Sequence, residues 1–316
     1  MKNNFVTAFA PASIGNVAVG FDMLGLAIEN VGDKVLARKV EKPGVYIKEI
    51  YDEFGEIHMN LSKETSKNTA SISALDFIES NNIDFGVELI IHKGIPLQSG
   101  MGSSAASAVA GVVAVNALLD DPLGKKDLLM HAIEGEKFAS AGLHADNVAP
   151  SLFGGLVFCP QDELPNTIQL NLPNCISSIV LHPNLSVNTA ESRASLKANY
   201  PLSDLLKQQS YLSGFILGIK ESNLELIERN LKDIIIEPQR SSAISCFEKV
   251  KETAMKNGAI GCSISGSGPS IFALCKNDDA EIIASKMKNA CENQDLKCET
   301  WISQSNSEGA VVESIE

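Results

Sequence analysis

Apolar and polar positions alternate with the period of a half-buried strand in short runs of the first hundred residues: Asn4 to Phe9, Lys34 to Val40, Gly44 to Ile50, and Val87 to His92, which reads VELIIH. These runs predict one small sheet. Between the last two, Ser66 to Glu79 brings Ala70, Ala74, Phe77 and Ile78 to helical spacing and predicts a helix packed on that sheet. Beyond PLQSGMG, the segment from about Ser103 to Leu119 is almost wholly Ala, Val, Ser and Gly. A helix so apolar on every side must be buried. Another helix, over about Lys125 to Ala141, follows the break Asp121-Pro122-Leu123-Gly124, and a polar loop, GLHADNVAP, then leads to a glycine-rich strand over Phe153 to Phe158.

Pro160, Pro165 and Pro173 punctuate the next stretch, after which IQLNL and ISSIVLH begin a second series of elements, with helices over about 202–220 and 222–232. The pattern is α+β in two domains, 1–160 and 161–316, with no low-complexity linker, so the halves are expected to pack directly. Among 316 residues, 26 basic against 39 acidic side chains give a formal charge of −13 without a basic run. That argues against a nucleic-acid or anionic-membrane surface, and any anionic ligand must be held locally. The N-terminus MKNNFVTAFAPASIG lacks the basic start and apolar core of a secretory signal, so the expected location is the cytoplasm. The seven cysteines are scattered, form no C-x-x-C pair, and read as reduced, mostly buried thiols.

The chemistry concentrates at Pro96-Leu97-Gln98-Ser99-Gly100-Met101-Gly102-Ser103-Ser104-Ala105-Ala106. Read by itself it is either a tight turn capped by serine or a phosphate cradle, in which glycines admit an anion to the N–H groups and positive end of the following helix. The lysine of a Walker A loop and the spacing of a Rossmann fingerprint are both absent. On the next helix, Leu129, Ala132, Glu136, Ala139 and Leu143 share one stripe, so the Glu136 carboxylate points inward and needs a partner, whereas Glu134 lies on the solvent side. His131 and Glu134 have helical metal-ligand spacing without a third ligand, which argues against zinc.

The pattern P-x-x-x-G-M-G-S-S-A-A resembles the phosphate loop of the GHMP kinases, with Met101 where leucine is usual. GAIGCSISGSGPSIFAL resembles that family's later glycine-rich segment, a second wall against the phosphates or the phosphate loop. Pro11 to Ile28, PASIGNVAVGFDMLGLAI, is similar to the homoserine-kinase branch, although Gly15, Ala18 and Val19 depart from its pattern. His144 to Pro150 (HADNVAP), Thr189 to Arg193 (TAESR) and Glu237 to Arg240 (EPQR) resemble further segments of that branch in the expected order.

The resemblance implies a ribosomal-protein S5 domain 2-like N-terminal domain, a ferredoxin-like C-terminal domain and a homodimer. It implies ATP on the phosphate loop and on Gly266, Ser267 and Gly268, Mg²⁺ on Ser104 and Glu136, and Asn68 at the adenine. It further implies L-homoserine as phosphoryl acceptor, made into O-phospho-L-homoserine for threonine synthesis. Asp22 and Asp146 would take its ammonium, Arg193 and Arg240 its carboxylate, and Asn16 and Asn147 its hydroxyl, with His144 and Thr189 nearby. A mevalonate-type acceptor fits less well, because PASIGNVAVGFD contains no lysine or arginine.

Overall fold

The computed structural model describes residues 5–140 and 145–315. Strands β1 (Phe5–Gly15) and β2 (Leu24–Val40) form a long antiparallel pair whose register slips between Pro11 and Ser13. Both run further than alternation predicts. Residues 11–15 and 24–28 are buried throughout and therefore carry no alternation to read.

Next come β3 (Val45–Tyr51), α1 (Thr69–Ser80) and β4 (Gly86–His92), with β4 antiparallel to β2 and parallel to β3. Helix α1 begins at Thr69 rather than Ser66, because the Asn68 side chain turns back to accept the Ala70 N–H at 3.1 Å and caps it. Helix α2 (Ser103–Asn116) is buried along nearly its whole length between α1, α3 (Lys125–Ser140) and the sheet, as its composition requires. Thr69 Oγ1 donates to Ser104 O at 3.0 Å and Ser73 Oγ to Ala108 O at 2.8 Å, fastening α1 along α2.

The segment expected to be a polar loop is instead a helix from its fourth letter onward, α4 (Ala145–Phe153), and the following strand is only β5 (Leu156–Phe158). Its Asp, Asn and Pro give weak intrinsic helicity, and burial of Ala145, Val148, Ala149 and Leu152 holds it in place. Strand β6 (Ile168–Leu170) pairs with β5.

The chain continues through β7 (Ile176–Pro183), α5 (Thr189–Ala194), α6 (Leu202–Lys220), α7 (Leu224–Asn230), α8 (Glu237–Arg240), α9 (Phe247–Lys256), β8 (Gly261–Ile264), β9 (Ile271–Lys276), α10 (Ala280–Glu292) and β10 (Cys298–Gln304). Its antiparallel sheet has the order β10-β7-β9-β8, the ferredoxin-like arrangement. Strand β11 (Val311–Ile315) then returns to β1 and completes a seven-stranded sheet with the order β11-β1-β2-β4-β3, β5 and β6 lying off β2. Two strands from beyond residue 160 thus belong to the first sheet.

The second sheet is apolar on both faces. Ile176 and Val180 of β7 face the core shared with the first sheet, while Ile179 and Leu181 face the core beneath α9 and α10. On β9, Phe272 and Leu274 divide from Ile271 and Ala273 in the same way. Cys175 is exposed and the other cysteines are buried. Among the described residues no helix is long and apolar enough to cross a membrane.

Candidate active site

The turn joining β1 to β2 is wound against its chirality. Asn16, Val17 and Ala18 have φ of 68°, 43° and 57°, and Asp22 has 58°. Left-handed backbone costs a residue with a side chain roughly 1–2 kcal/mol. The surroundings hold it: Val17, Ala18 and Val19 are buried, Asn16 N–H reaches Asp146 Oδ2 at 3.3 Å, and the Asn16 amide accepts from Asp22 N–H at 3.0 Å while donating to Gly266 O at 3.1 Å. The turn delivers Asn16 and Asp22 to a cavity of about 500 Å³ between the two halves of the chain.

One wall of that cavity is the loop ahead of α2. Gly100 and Gly102 have φ of 74° and 69°, and Gly102 precedes the first turn of the helix. The protein's own atoms require glycine at both positions. A side chain at 100 would come within 2.5 Å of Ser265 O and 2.6 Å of Gly268 O, and one at 102 within 2.4 Å of Ser13 Oγ. The protein's own backbone occupies the space at 100. The second glycine segment is therefore a buttress for the first, tied to it by Ser265 Oγ donating to Gly100 O at 2.7 Å and Ser270 N–H donating to Ser99 O at 3.1 Å. The loop faces the cavity together with the first turn of α2, where free N–H groups and the helix dipole favour negative charge. Gly100→Ala is expected to destabilise the fold by more than about 2 kcal/mol through φ and overlap together. An unchanged urea midpoint would contradict this account of the buttress.

Opposite this wall stand the carboxylates. Glu136, 7% exposed, projects from α3 and receives the Ser104 hydroxyl; burial, with the Asp146 charge adding, pushes it up to about 7. Asp146, on α4, is likewise pushed up to about 7, first by burial and then by the charge of Asp22. The cations come from the second half of the chain. Arg193, on α5, forks onto Asp22 with bonds of 3.0 and 2.7 Å, and that bonding raises its pKa. Arg240, at the end of α8 and 5% exposed, donates from one terminal nitrogen to Gly266 O at 2.8 Å. Its Nε has no hydrogen-bond partner among the described residues. Burial and the neighbouring Arg193 lower its pKa.

The structure brings Asn16, Asp22, Asn68, Ser104, Glu136, Asp146, Asn147, Thr189, Arg193, Arg240, Gly266 and Ser267 to this one cavity, with residues 97–100, 102 and 103 of the loop. Pro96, Met101, Ala105, Ala106 and Gly268 do not line it: Met101, Ala105 and Ala106 are core, and Gly268 closes its own turn onto Ser265 O at 2.9 Å. Asp22 and Arg193, expected at opposite ends of a ligand, hold each other here. Asn68 acts as a helix cap and also donates to Ser62 O at 3.3 Å, and Asn16 braces its turn through Gly266 O and Asp22 N–H. Ser103 Oγ turns back to Ile95 O at 3.2 Å. His144 and Leu143 lie outside the described residues. His131 pairs with Asp76 at 2.5 Å and Glu134 with Lys137.

The sequence reading missed Lys93. Buried beside the loop, it pairs with Asp33 and donates to Ser103 O at 3.0 Å and Ser107 Oγ at 2.6 Å, while Asp33 accepts from Gly94 N–H at 3.0 Å. The pair anchors the start of α2 and places a positive charge near the cavity. A lysine interrupting VELIIHKGIP was the available signal.

Two family models match the chain, that of the GHMP kinases N terminal domain over residues 68–155 and that of the GHMP kinases C terminal over residues 215–293. Homoserine kinase of Xylella fastidiosa strain M12 is 40% identical over 304 residues, 96% of this chain and 92% of its own. That of Chlorobium phaeobacteroides strain BS1 is 40% identical over 320 residues, 97% of this chain and 99% of its own. The crystal structure of homoserine kinase from Cytophaga hutchinsonii matches with a TM-score of 0.94 at 40% identity, over 99% of this chain and 98% of that one. L. major mevalonate kinase shares the fold, with a TM-score of 0.67 at 15% identity over 95% of this chain and 96% of that one. With relatives this similar across nearly its whole length, the chain belongs to the GHMP kinase family, among its homoserine kinases.

Proposed function

We propose that this cavity transfers the γ-phosphoryl group of MgATP to the side-chain hydroxyl of L-homoserine, giving O-phospho-L-homoserine and ADP, the step that leads to threonine. The observation that carries the reading is the meeting of opposite charges in one cavity: it is lined by the carboxylates of Asp22 and Asp146 and by the guanidinium groups of Arg193 and Arg240, beside an anion-favouring helix start. A zwitterion supplies an ammonium for the first pair and a carboxylate for the second, and its hydroxyl then lies toward Asn147 and the loop.

Phosphoryl transfer asks for positioning and for neutralisation of charge on the transferred group. The first turn of α2 and the Lys93 charge contribute both. Ser104 and Glu136 present two hard oxygen donors in contact with each other, and a carboxylate pushed up to about 7 by burial is one that a cation would stabilise. They fit Mg²⁺, which when bound supplies positive charge to the phosphate oxygens. An ammonium against Asp146 lowers its pKa and keeps it ionised, so that carboxylate is spent on binding and the hydroxyl proton leaves with the phosphate. Homodimer assembly is carried over from the family resemblance, and residence in the cytoplasm from the character of the N-terminal segment.

The test is ADP release by the purified protein with MgATP, offering L-homoserine, mevalonate, galactose and L-threonine separately. Release with homoserine alone is expected. Silence with homoserine while ATP still binds would discard the acceptor.

A further inference from the structure

Arg193 and Arg240 come from different helices and carry like charges, yet both guanidinium groups lie against one aromatic ring. Their central carbons are 5.3 and 5.2 Å from the centroid of Phe21. We infer that Phe21 is a positioning residue that holds these two arginines together as a receptor for the acceptor's carboxylate; this rests on the homoserine reading above.

Two guanidinium groups close enough to interact repel each other; Asp22 answers the charge of Arg193, and the acceptor's carboxylate would answer both. The face of an aromatic ring carries partial negative charge and attracts a guanidinium within about 6 Å of its centroid. Phe21 supplies that face to both arginines. The ring is itself placed by the wound turn that Asn16 braces from both ends, with Asp22 at positive φ directly after it. Asp22 holds Arg193 from the turn in the same way that Gly266 O holds Arg240 from the second glycine segment. Phe21 is the part of the arrangement common to both. Its contribution falls on the carboxylate end of the acceptor, away from ATP.

The experiment is a KM and kcat comparison for L-homoserine and for ATP. Phe21→Leu is expected to raise the homoserine KM about five- to thirtyfold, with kcat and the ATP KM changed less than about twofold. Phe21→Tyr, which keeps the ring face, is expected to restore the homoserine KM to within about threefold of wild type. Phenylalanines carrying increasing numbers of ring fluorines, placed at 21, keep the shape and withdraw the charge from the face, so the homoserine KM should climb along the series. A KM flat along the series, or a Leu variant that loses ATP and homoserine binding together, overturns the inference while active wild type leaves the homoserine reading intact. Wild-type protein that fails to phosphorylate homoserine overturns both.

Discussion

Glu136→Gln is expected to lower homoserine-dependent ADP release by a hundred- to a thousandfold, about the several kcal/mol that a cation's charge stabilisation is worth in such transfers. The same change should leave the fold intact or more stable. Glutamine keeps the shape and can still meet the Ser104 hydroxyl, while it removes a charge from a buried place. The pH dependence separates the two effects. Burial raises Glu136 from 4.5 to about 7, so between those values the folded chain holds a proton that the unfolded chain has lost. The stability contributed by this group is therefore complete below about pH 4.5 and lost as the pH rises through about 7. Glutamine does not titrate. In chelator, the melting temperature of Glu136→Gln minus that of wild type should grow by a few degrees between pH 5 and pH 8. A variant as active as wild type would remove Glu136 from the transfer step. A melting difference that shrinks over that range would contradict the burial described here.

What the sequence could and could not reveal follows the range of each interaction. Helix α2 was legible because Ala, Val and Ser on every side leave it nowhere but the interior. Glu136 was legible because a helical stripe points its carboxylate inward. The full extent of β1 and β2 was not, since residues buried on both faces lose the alternation that marks a strand. Helix α4 was hidden by its own chemistry: Asp146, Asn147 and Pro150 read as loop, and only packing across the domain makes them helical. That Gly100 also rests against a backbone 165 residues further on, the separation of Ser265 from Gly100, was not legible, since no local spacing couples the two segments. Lys93 and Asp33 are 60 residues apart, and no spacing rule couples them. The acidic and basic members of the cavity were each legible through motif resemblance, whereas the Asp22–Arg193 fork and the Phe21 contacts exist only once the β1–β2 turn, α5 and α8 converge.

Arg240→Met is expected to raise the homoserine KM by two to three orders of magnitude, the few kcal/mol lost when one partner of a buried, hydrogen-bonded charge pair is truncated, and to leave the ATP KM nearly unchanged. Several features of this arginine argue that it is built to meet an anion. It is 5% exposed, its nearest like charge is Arg193, burial holds its pKa below the usual arginine value, and its Nε donates to nothing among the described residues. Holding such a group in the interior works against folding unless a ligand completes it. The variant's melting temperature without ligand should thus equal or exceed that of wild type, although Gly266 O loses a donor. The analogue 3-aminopropan-1-ol, which is homoserine without its carboxylate, locates the effect. As an inhibitor competing with homoserine it should bind the variant no more weakly than wild type, since the interaction removed is one it never made. Arg240→Lys should recover only part of the loss, because a point charge does not reproduce the planar fork and lacks the guanidinium's fit against Phe21. Equal weakening of homoserine, ATP and the amino alcohol, together with a fall in melting temperature, would instead make Arg240 a strut between α8 and the second glycine segment.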